Sequence, residues 1–163
     1  MSDGTHDPEA VERDLARVTG LKDRDVLAQL RLLGFTADTV VLLFLVPLVQ
    51  VAWANGSVTA AERAEVLSRA ARGGVLPGTR SYAVLTRWLD VQPDAAFYSA
   101  CFDAIRTVAL LLPEETDVSI AHELLRSGRA VAHASGGVLG FGAVSAEEKA
   151  LLARLAAELA ALH

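Results

Sequence analysis

The residues of this chain that come closest to a metal-binding motif lie in two similar segments. Residues 56–64 read GSVTAAERA and residues 142–150 read GAVSAEEKA, so both follow the pattern G-x-V-[ST]-A-x-E-[KR]-A. An EF-hand loop has its glycine and its final glutamate at the same spacing. The first and third ligand positions of such a loop would be Val51 and Trp53 in the first segment, which offer no side-chain oxygen. Because Ca²⁺ needs about six oxygen ligands, calcium binding of the EF-hand type is not expected.

The same pattern has a complete structural explanation. The glycine permits a positive φ in the turn, and the valine packs into the core. Ser or Thr and the glutamate three residues later form a capping box at the start of a helix. The two boxes would be Thr59 with Glu62, and Ser145 with Glu148. The pattern therefore predicts two similar helix-turn-helix corners, which are either a duplication or the same turn formed twice independently.

Familiar catalytic and phosphate-binding motifs are incomplete in this chain. His122 begins an HExxH zinc-protease motif, but Arg126 replaces the second histidine. His122 and His133 share a predicted helix face about 16 Å apart, which is too far to bind one ion. The glycines of residues 137–142 have P-loop spacing, but neither Lys nor Ser/Thr follows them. The sequence therefore predicts no catalytic residue, no bound cofactor and no enzyme.

Three further groups of residues have a structural and a functional interpretation. The acidic residues 114–117 stabilise the start of a helix through its dipole, and a cation site is the alternative. Cys101 lies in an apolar helix stripe, which favours a small core residue over a nucleophile. Five aromatic residues either pack in the core or, if they converge, line a ligand or partner pocket. These are Trp53, Tyr82, Trp88, Phe97 and Tyr98.

Composition narrows the class of protein. The chain has 163 residues, of which 52% are hydrophobic, and a net charge of −5. One domain over residues 1–163 with a substantial core is expected, and the acidic charge argues against nucleic acid as a partner. A single cysteine forms no intrachain disulfide, and the acidic N-terminus does not resemble a signal peptide, so we expect a cytoplasmic protein. The apolar run of residues 40–54 is too short for a membrane span.

Helical periodicity and helix-ending residues predict an all-α domain of seven to eight helices. The central element is an apolar helix over about residues 36–54, capped by Thr36 and kinked at Pro47 because proline has no N–H for the carbonyl of Leu43. Residues 1–6 are expected to be frayed, and the loop of residues 135–142 precedes the last helix. The other helices are predicted at about residues 8–18, 23–33, 60–71, 80–89, 95–112, 118–134 and 146–162.

The apolar helix that ends in the corner ANGSVTAAE (residues 54–62) resembles the tellurite-resistance B-like (TerB-like) family. Those are all-α domains whose hallmark is an apolar helix ending in A-D-G-x-[VI]-[ST]-x-x-E. Asn55 stands where the motif has Asp. The resemblance implies a non-enzymatic protein of the bacterial response to tellurite or metal stress that binds a partner or, weakly, a metal ion. It makes Glu62 and Glu148 the candidate metal ligands, although capping is their first expected role.

A second functional interpretation comes from the last predicted helix. Its residues between 147 and 162 are rich in Leu and Ala. Such a face can pair with the same face of a second copy. The alternative to a TerB-like binding domain is therefore an oligomerising interaction protein.

Overall fold

The computed structural model describes residues 7–111, 123, 126–134 and 146–160. Within these residues every regular element is a helix and none is a strand, so the predicted all-α class is confirmed. A 3₁₀ helix, Val40–Leu45, stands directly before α3. The α-helices are α1 (Pro8–Thr19), α2 (Arg24–Leu32), α3 (Val46–Ala52), α4 (Ala60–Arg72), α5 (Arg80–Asp90), α6 (Ala95–Leu110), α7 (residues 126–134) and α8 (Ala146–Ala160).

Several predictions fall on residues outside this description. They concern the frayed start at 1–6, the acidic cluster 114–117, the glycine-rich loop 135–142, His122 and the second capping serine, Ser145. The side chain of Glu148 is also outside it, although its backbone lies in the first turn of α8. The second corner therefore stays a prediction.

Local signals determine the limits of α1 and α2. Asp7 Oδ1 accepts a hydrogen bond from the N–H of Glu9 at 3.2 Å, which caps α1 as its sequence predicts. The helix ends at Gly20, whose φ of 74° is accessible to glycine at little cost. The two helices pack side by side, and an ion pair of 2.8 Å joins Arg31 of α2 to Glu12 of α1.

The central apolar run is divided into two helices of different type. We predicted one kinked helix over about 36–54, whereas the chain forms the 3₁₀ helix of residues 40–45 and then the short α3. Thr36 does not cap this helix with its side chain. Instead its N–H donates to Thr39 Oγ1 at 2.9 Å in a turn that precedes the 3₁₀ helix.

Proline explains where the 3₁₀ helix gives way to α3. Pro47 lies in the first turn of α3, where a missing N–H leaves no intrahelical bond unmade. The carbonyl of Leu43, which cannot receive an N–H from Pro47, accepts one from Val46 instead. The spacing of three residues from Leu43 to Val46 is the hydrogen-bond pattern of a 3₁₀ helix, and the bond that Val46 also donates to Leu42 has the four-residue spacing of an α-helix. The predicted effect of Pro47 on Leu43 is therefore real, but its result is a change of helix type at residue 46.

The divided run lies at the centre of the fold, as predicted. α3 contacts the 3₁₀ helix, α4, α5, α6 and α8. All its residues except Gln50 are buried, and Val49 and Val51 are completely inaccessible. Burial of this kind stabilises a fold by about 25 cal/mol per Å² of apolar surface.

The corner between α3 and α4 forms the predicted capping box. Thr59 Oγ1 accepts the N–H of Glu62 at 3.2 Å, and Glu62 Oε2 accepts the N–H of Thr59 at 2.7 Å. Gly56 has a φ of 83° in the preceding turn, as its place in the pattern requires. The box fixes the direction in which α4 leaves the central run.

We expect Thr59→Ala to lower the free energy of unfolding by about 1 kcal/mol, because it leaves one helix N–H without its acceptor. Thr59→Ser keeps the hydroxyl and should lie close to wild type. Denaturant unfolding followed by circular dichroism measures both. Equal stability of the alanine and serine variants would contradict a capping role for the hydroxyl.

Candidate functional site

A groove of about 770 Å³ lies between α6 and α8 and extends to the C-terminal end of α3. We call it the α6–α8 groove. Its volume is in the range typical of small-molecule sites. The residues that line it are Gln50, Trp53, Ala54, Gln92, Pro93, Ala95, Tyr98, Ser99, Phe102, Asp103, Arg106, Glu147, Leu151, Arg154, Leu155 and Glu158.

The helical period explains why α6 faces the groove with these side chains. Tyr98, Phe102 and Arg106 are spaced by four residues, so they lie on one side of the helix. The spacing of Leu151, Leu155 and Glu158 does the same on α8. Both helices pack against α3 and less closely against each other, which leaves the space between them open.

Aromatic and aliphatic side chains form the deeper part of the groove. Tyr98 and Phe102 are each 7% exposed, and Leu155 is 5% exposed. At one end, Trp53 Nε1–H donates a hydrogen bond of 2.8 Å to the carbonyl of Trp88 in α5. This bond holds the indole in place and satisfies its single N–H, so the ring offers a ligand apolar surface only.

Charged side chains surround the opening and largely neutralise one another. Arg106 lies 3.9 Å from Asp103 on α6, and Arg154 lies 3.7 Å from Glu158 on α8. Glu147 adds one further acidic side chain to the lining. Each arginine is therefore matched by a carboxylate of its own helix, and the opening has no excess of positive charge.

Tyr98, one of the residues that line the groove, has an unusual hydroxyl oxygen. It is buried and has no hydrogen-bond partner, and it is alone in this among the buried side-chain atoms of the described residues. Leaving such a group unsatisfied costs about 1–3 kcal/mol. Burial also raises the pKa of the Tyr98 phenol above its ordinary value, so the group keeps its proton at neutral pH and can act as a donor.

The predicted metal ligands lie elsewhere. Glu62 does not line the groove; it is 1% exposed, and its carboxylate is engaged by the backbone of Thr59. Glu148 is in α8, with its side chain outside the described residues. Across the described parts of the chain, no three His, Cys, Asp or Glu residues are grouped closely enough to hold a metal ion. Metal binding by this pair stays a prediction, and the structure gives Glu62 a capping role.

Some of the aromatic residues singled out in the sequence pack against the core, and others line the groove. Trp88 packs in the core with its ring centroid 6.3 Å from that of Phe35 and 5.4 Å from that of Phe97. Trp53 and Tyr98 instead line the groove. Tyr82, in α5, is partly buried against the core and does not reach the groove.

Cys101 is a core residue, as its place in the apolar stripe of α6 predicts. It is completely inaccessible, and burial raises the pKa of its thiol to about 12. A thiol that stays protonated is a poor nucleophile. The described structure therefore supports no catalytic role for this residue.

A second polar cluster joins α4 to the chain around α7. Arg69 Nε donates to Glu65 at 2.9 Å, and its Nη1 donates to Ser127 Oγ at 3.2 Å and lies 3.5 Å from Glu123 Oε1. Glu123 also accepts hydrogen bonds from Ser127 and Arg126. Because Nε and Nη1 of Arg69 are both engaged by residues of the two segments, the cluster is best explained as a connection between helices.

Sequence reasoning identified Trp53 and Tyr98 but missed the polar residues around the groove. The pair Asp103 and Arg106 has the i, i+3 spacing of a helix-surface ion pair, and Arg154 and Glu158 have the i, i+4 spacing. Each pair flanks an apolar stripe. That pattern was a usable signal, but it is equally common on helices with no groove beside them.

No family model, curated protein or solved structure matches this chain. The likeness to the TerB-like family therefore rests on the corner motif and the helical arrangement. Among the described helices, none has both the length and the apolar character needed to cross a bilayer.

The polar cluster of Arg69, Glu123 and Ser127 should make the free energy of unfolding decrease at acid pH. Slight burial raises the pKa of Glu123, but the hydrogen bonds from Ser127 and Arg126 and the charges of Arg126 and Arg69 outweigh it, so the net pKa is lowered. A lowered folded-state pKa stabilises the fold above the unfolded pKa, near 4.3, and this contribution is lost as the pH falls below it. Urea unfolding of wild type and Glu123→Gln from pH 7 to pH 3 measures the effect.

We expect wild type to be the more stable protein at pH 7 and the difference to shrink as the pH falls below about 4.3. The difference should also be smaller in 1 M salt, because Glu123 is about half exposed and screening weakens such pairs. A difference that is constant across this pH range would contradict the ionic contribution of Glu123.

Proposed function

We propose that this protein is a non-enzymatic, TerB-like helical domain that acts by binding a ligand in the α6–α8 groove. The observation that carries the proposal is a groove of about 770 Å³ lined by Tyr98, whose buried phenol hydroxyl has no partner. A buried polar group that folding leaves unsatisfied calls for an explanation, and departures from the folding rules are expected at functional sites. The corner motif of residues 54–62 supports the TerB-like part of the proposal and, with it, a role in the bacterial response to tellurite or metal stress.

The geometry favours ligand or partner binding over the metal version of the same proposal. Glu62 is inside the protein and already accepts the N–H of Thr59, so binding a cation would compete with the helix cap. The acidic side chains at the groove are partly neutralised by Arg106 and Arg154. The isolated thiol of Cys101 is compatible with the cytoplasm, which is where we propose that the protein acts.

The groove proposal predicts that a large side chain at its edge will abolish binding without unfolding the protein. Ser99 is exposed on α6 and lines the groove, so Ser99→Trp fills the opening at little cost to the core. The matched control is Ser68→Trp, the same change at an exposed position of α4. A ligand-observed NMR screen of small molecules should give hits with wild type and the control that disappear with Ser99→Trp.

Calorimetry with divalent cations tests the metal version in parallel. Heat of binding that is lost in a folded Glu62→Gln protein would favour the metal site over the groove. The groove proposal is contradicted if no molecule in the NMR screen binds wild type and loses its binding in Ser99→Trp.

A second candidate function, self-association, is favoured by one specific observation on α8. Its outward face contains exposed alanines at alternating intervals of four and three residues, which is the spacing of a heptad repeat. Small side chains let a second helix approach closely. The positions are Ala146, Ala150, Ala153, Ala157 and Ala160.

If α8 forms such an interface, wild type should sediment as a dimer and Ala153→Glu as a monomer, because the substitution places a charge in the middle of the alanine face. Ala64→Glu, at an exposed position of α4, is the matched control and should remain dimeric. Analytical ultracentrifugation over a range of concentrations measures all three. A monomeric wild type at high concentration excludes this candidate.

A further inference from the structure

The groove limits the chemistry of its own ligand. Tyr98 has no hydrogen-bond partner, and burial keeps its phenol protonated, so it presents an O–H donor that needs an acceptor. Around it, Trp53, Phe102 and Leu155 provide apolar surface. A ligand with an apolar body and an atom that accepts a hydrogen bond would complement this part of the groove.

The charges at the opening disfavour an anionic ligand. Arg106 and Arg154 each lie within 4 Å of a carboxylate of their own helix, and Glu147 adds a third acid to the lining. The lining therefore has two positive and three negative side chains, and a carboxylate or phosphate would be repelled by their sum. A neutral acceptor such as a ketone, ester or amide carbonyl has no such penalty.

We propose that the α6–α8 groove binds a neutral small molecule with an apolar, ring- or chain-like body and a carbonyl oxygen that accepts the hydrogen bond of Tyr98. This inference rests on the proposed function of the groove and adds the ligand class to it. The hydroxyl oxygen of Tyr98 is closed to solvent, so this binding requires the side chains around it to move. The hydrogen bond then satisfies a donor that the free protein leaves unpaired.

A fluorescent naphthyl ketone, 6-propionyl-2-(dimethylamino)naphthalene, is a suitable probe. It is neutral, it has one carbonyl acceptor, and its emission moves to shorter wavelength in an apolar site and responds to hydrogen bonding at that carbonyl. Titration of wild type should give saturable, blue-shifted emission. Ser99→Trp should lose this signal, which places the probe in the groove.

Tyr98→Phe removes the donor and keeps the ring. We expect this variant to bind the ketone about tenfold more weakly, which is the usual effect of one lost hydrogen bond. Tyr82→Phe makes the same chemical change outside the groove and should bind like wild type. A methylene analogue of the probe, in which the carbonyl is reduced to CH₂, should bind wild type and Tyr98→Phe equally.

Stability separates a binding role of the hydroxyl from a structural one. Because the Tyr98 hydroxyl has no partner in the free protein, Tyr98→Phe should unfold at the same denaturant concentration as wild type or at a higher one. Destabilisation by this variant would show that the hydroxyl is needed for folding, and it would overturn the inference.

The remaining outcomes distinguish the ligand class from the function of the groove. Probe binding that depends on Ser99 but not on Tyr98 would overturn the carbonyl inference and leave the groove as a binding site. Tighter, Ser99-dependent binding of the anionic probe 1-anilinonaphthalene-8-sulfonate would overturn the neutral class in the same way. Probe binding that is unaffected by Ser99→Trp would contradict both the inference and the proposed function.

Discussion

The fold depends on the burial of one apolar run, residues 40–54. A segment with so few polar side chains has to be surrounded, and the 3₁₀ helix, α4, α5, α6 and α8 all contact α3. Pro47 determines how the run is divided, because the carbonyl of Leu43 must take its hydrogen bond from Val46 rather than from residue 47. The change from 3₁₀ to α-helix satisfies the backbone inside the core, where an unpaired carbonyl is costly.

The groove follows from this arrangement. A short central helix has limited surface, and several longer helices share it. α6 and α8 both reach α3 but do not close on each other along their length. The space between them is therefore bordered by the apolar side chains that point towards α3 and by the polar ones that point outward. This combination of a buried apolar part and a charged opening is what a binding site for a small amphipathic molecule requires.

Much of the fold could be predicted from the sequence because its signals are local. The cap at Asp7, the glycine at 20 and the box of Thr59 with Glu62 all act within a few residues, and each has its expected geometry. The division of the central run was missed because α and 3₁₀ helices differ by small changes in the hydrogen-bond pattern. Periodicity does not separate those patterns in a segment that is apolar on every side.

The site was harder to predict for a different physical reason. A groove depends on the distance between helices that are about fifty residues apart in the chain, such as α6 and α8, and no local rule gives that distance. Tyr98 was recognised only as one of several aromatic residues. Its missing hydrogen-bond partner is a property of the packed structure, since the sequence around it is that of a mostly apolar helix.

Glu62 and Tyr98 illustrate opposite relations between local structure and function. Glu62 is part of the corner motif, and the capping box explains why a glutamate stands there. Its buried carboxylate accepts a backbone N–H. Tyr98 belongs to no motif, yet folding gives its hydroxyl nothing to bind, so packing alone does not explain why this position is not Phe. A polar atom without a structural role calls for a functional explanation, and on that ground the proposed binding site lies on α6 rather than at the corner motif.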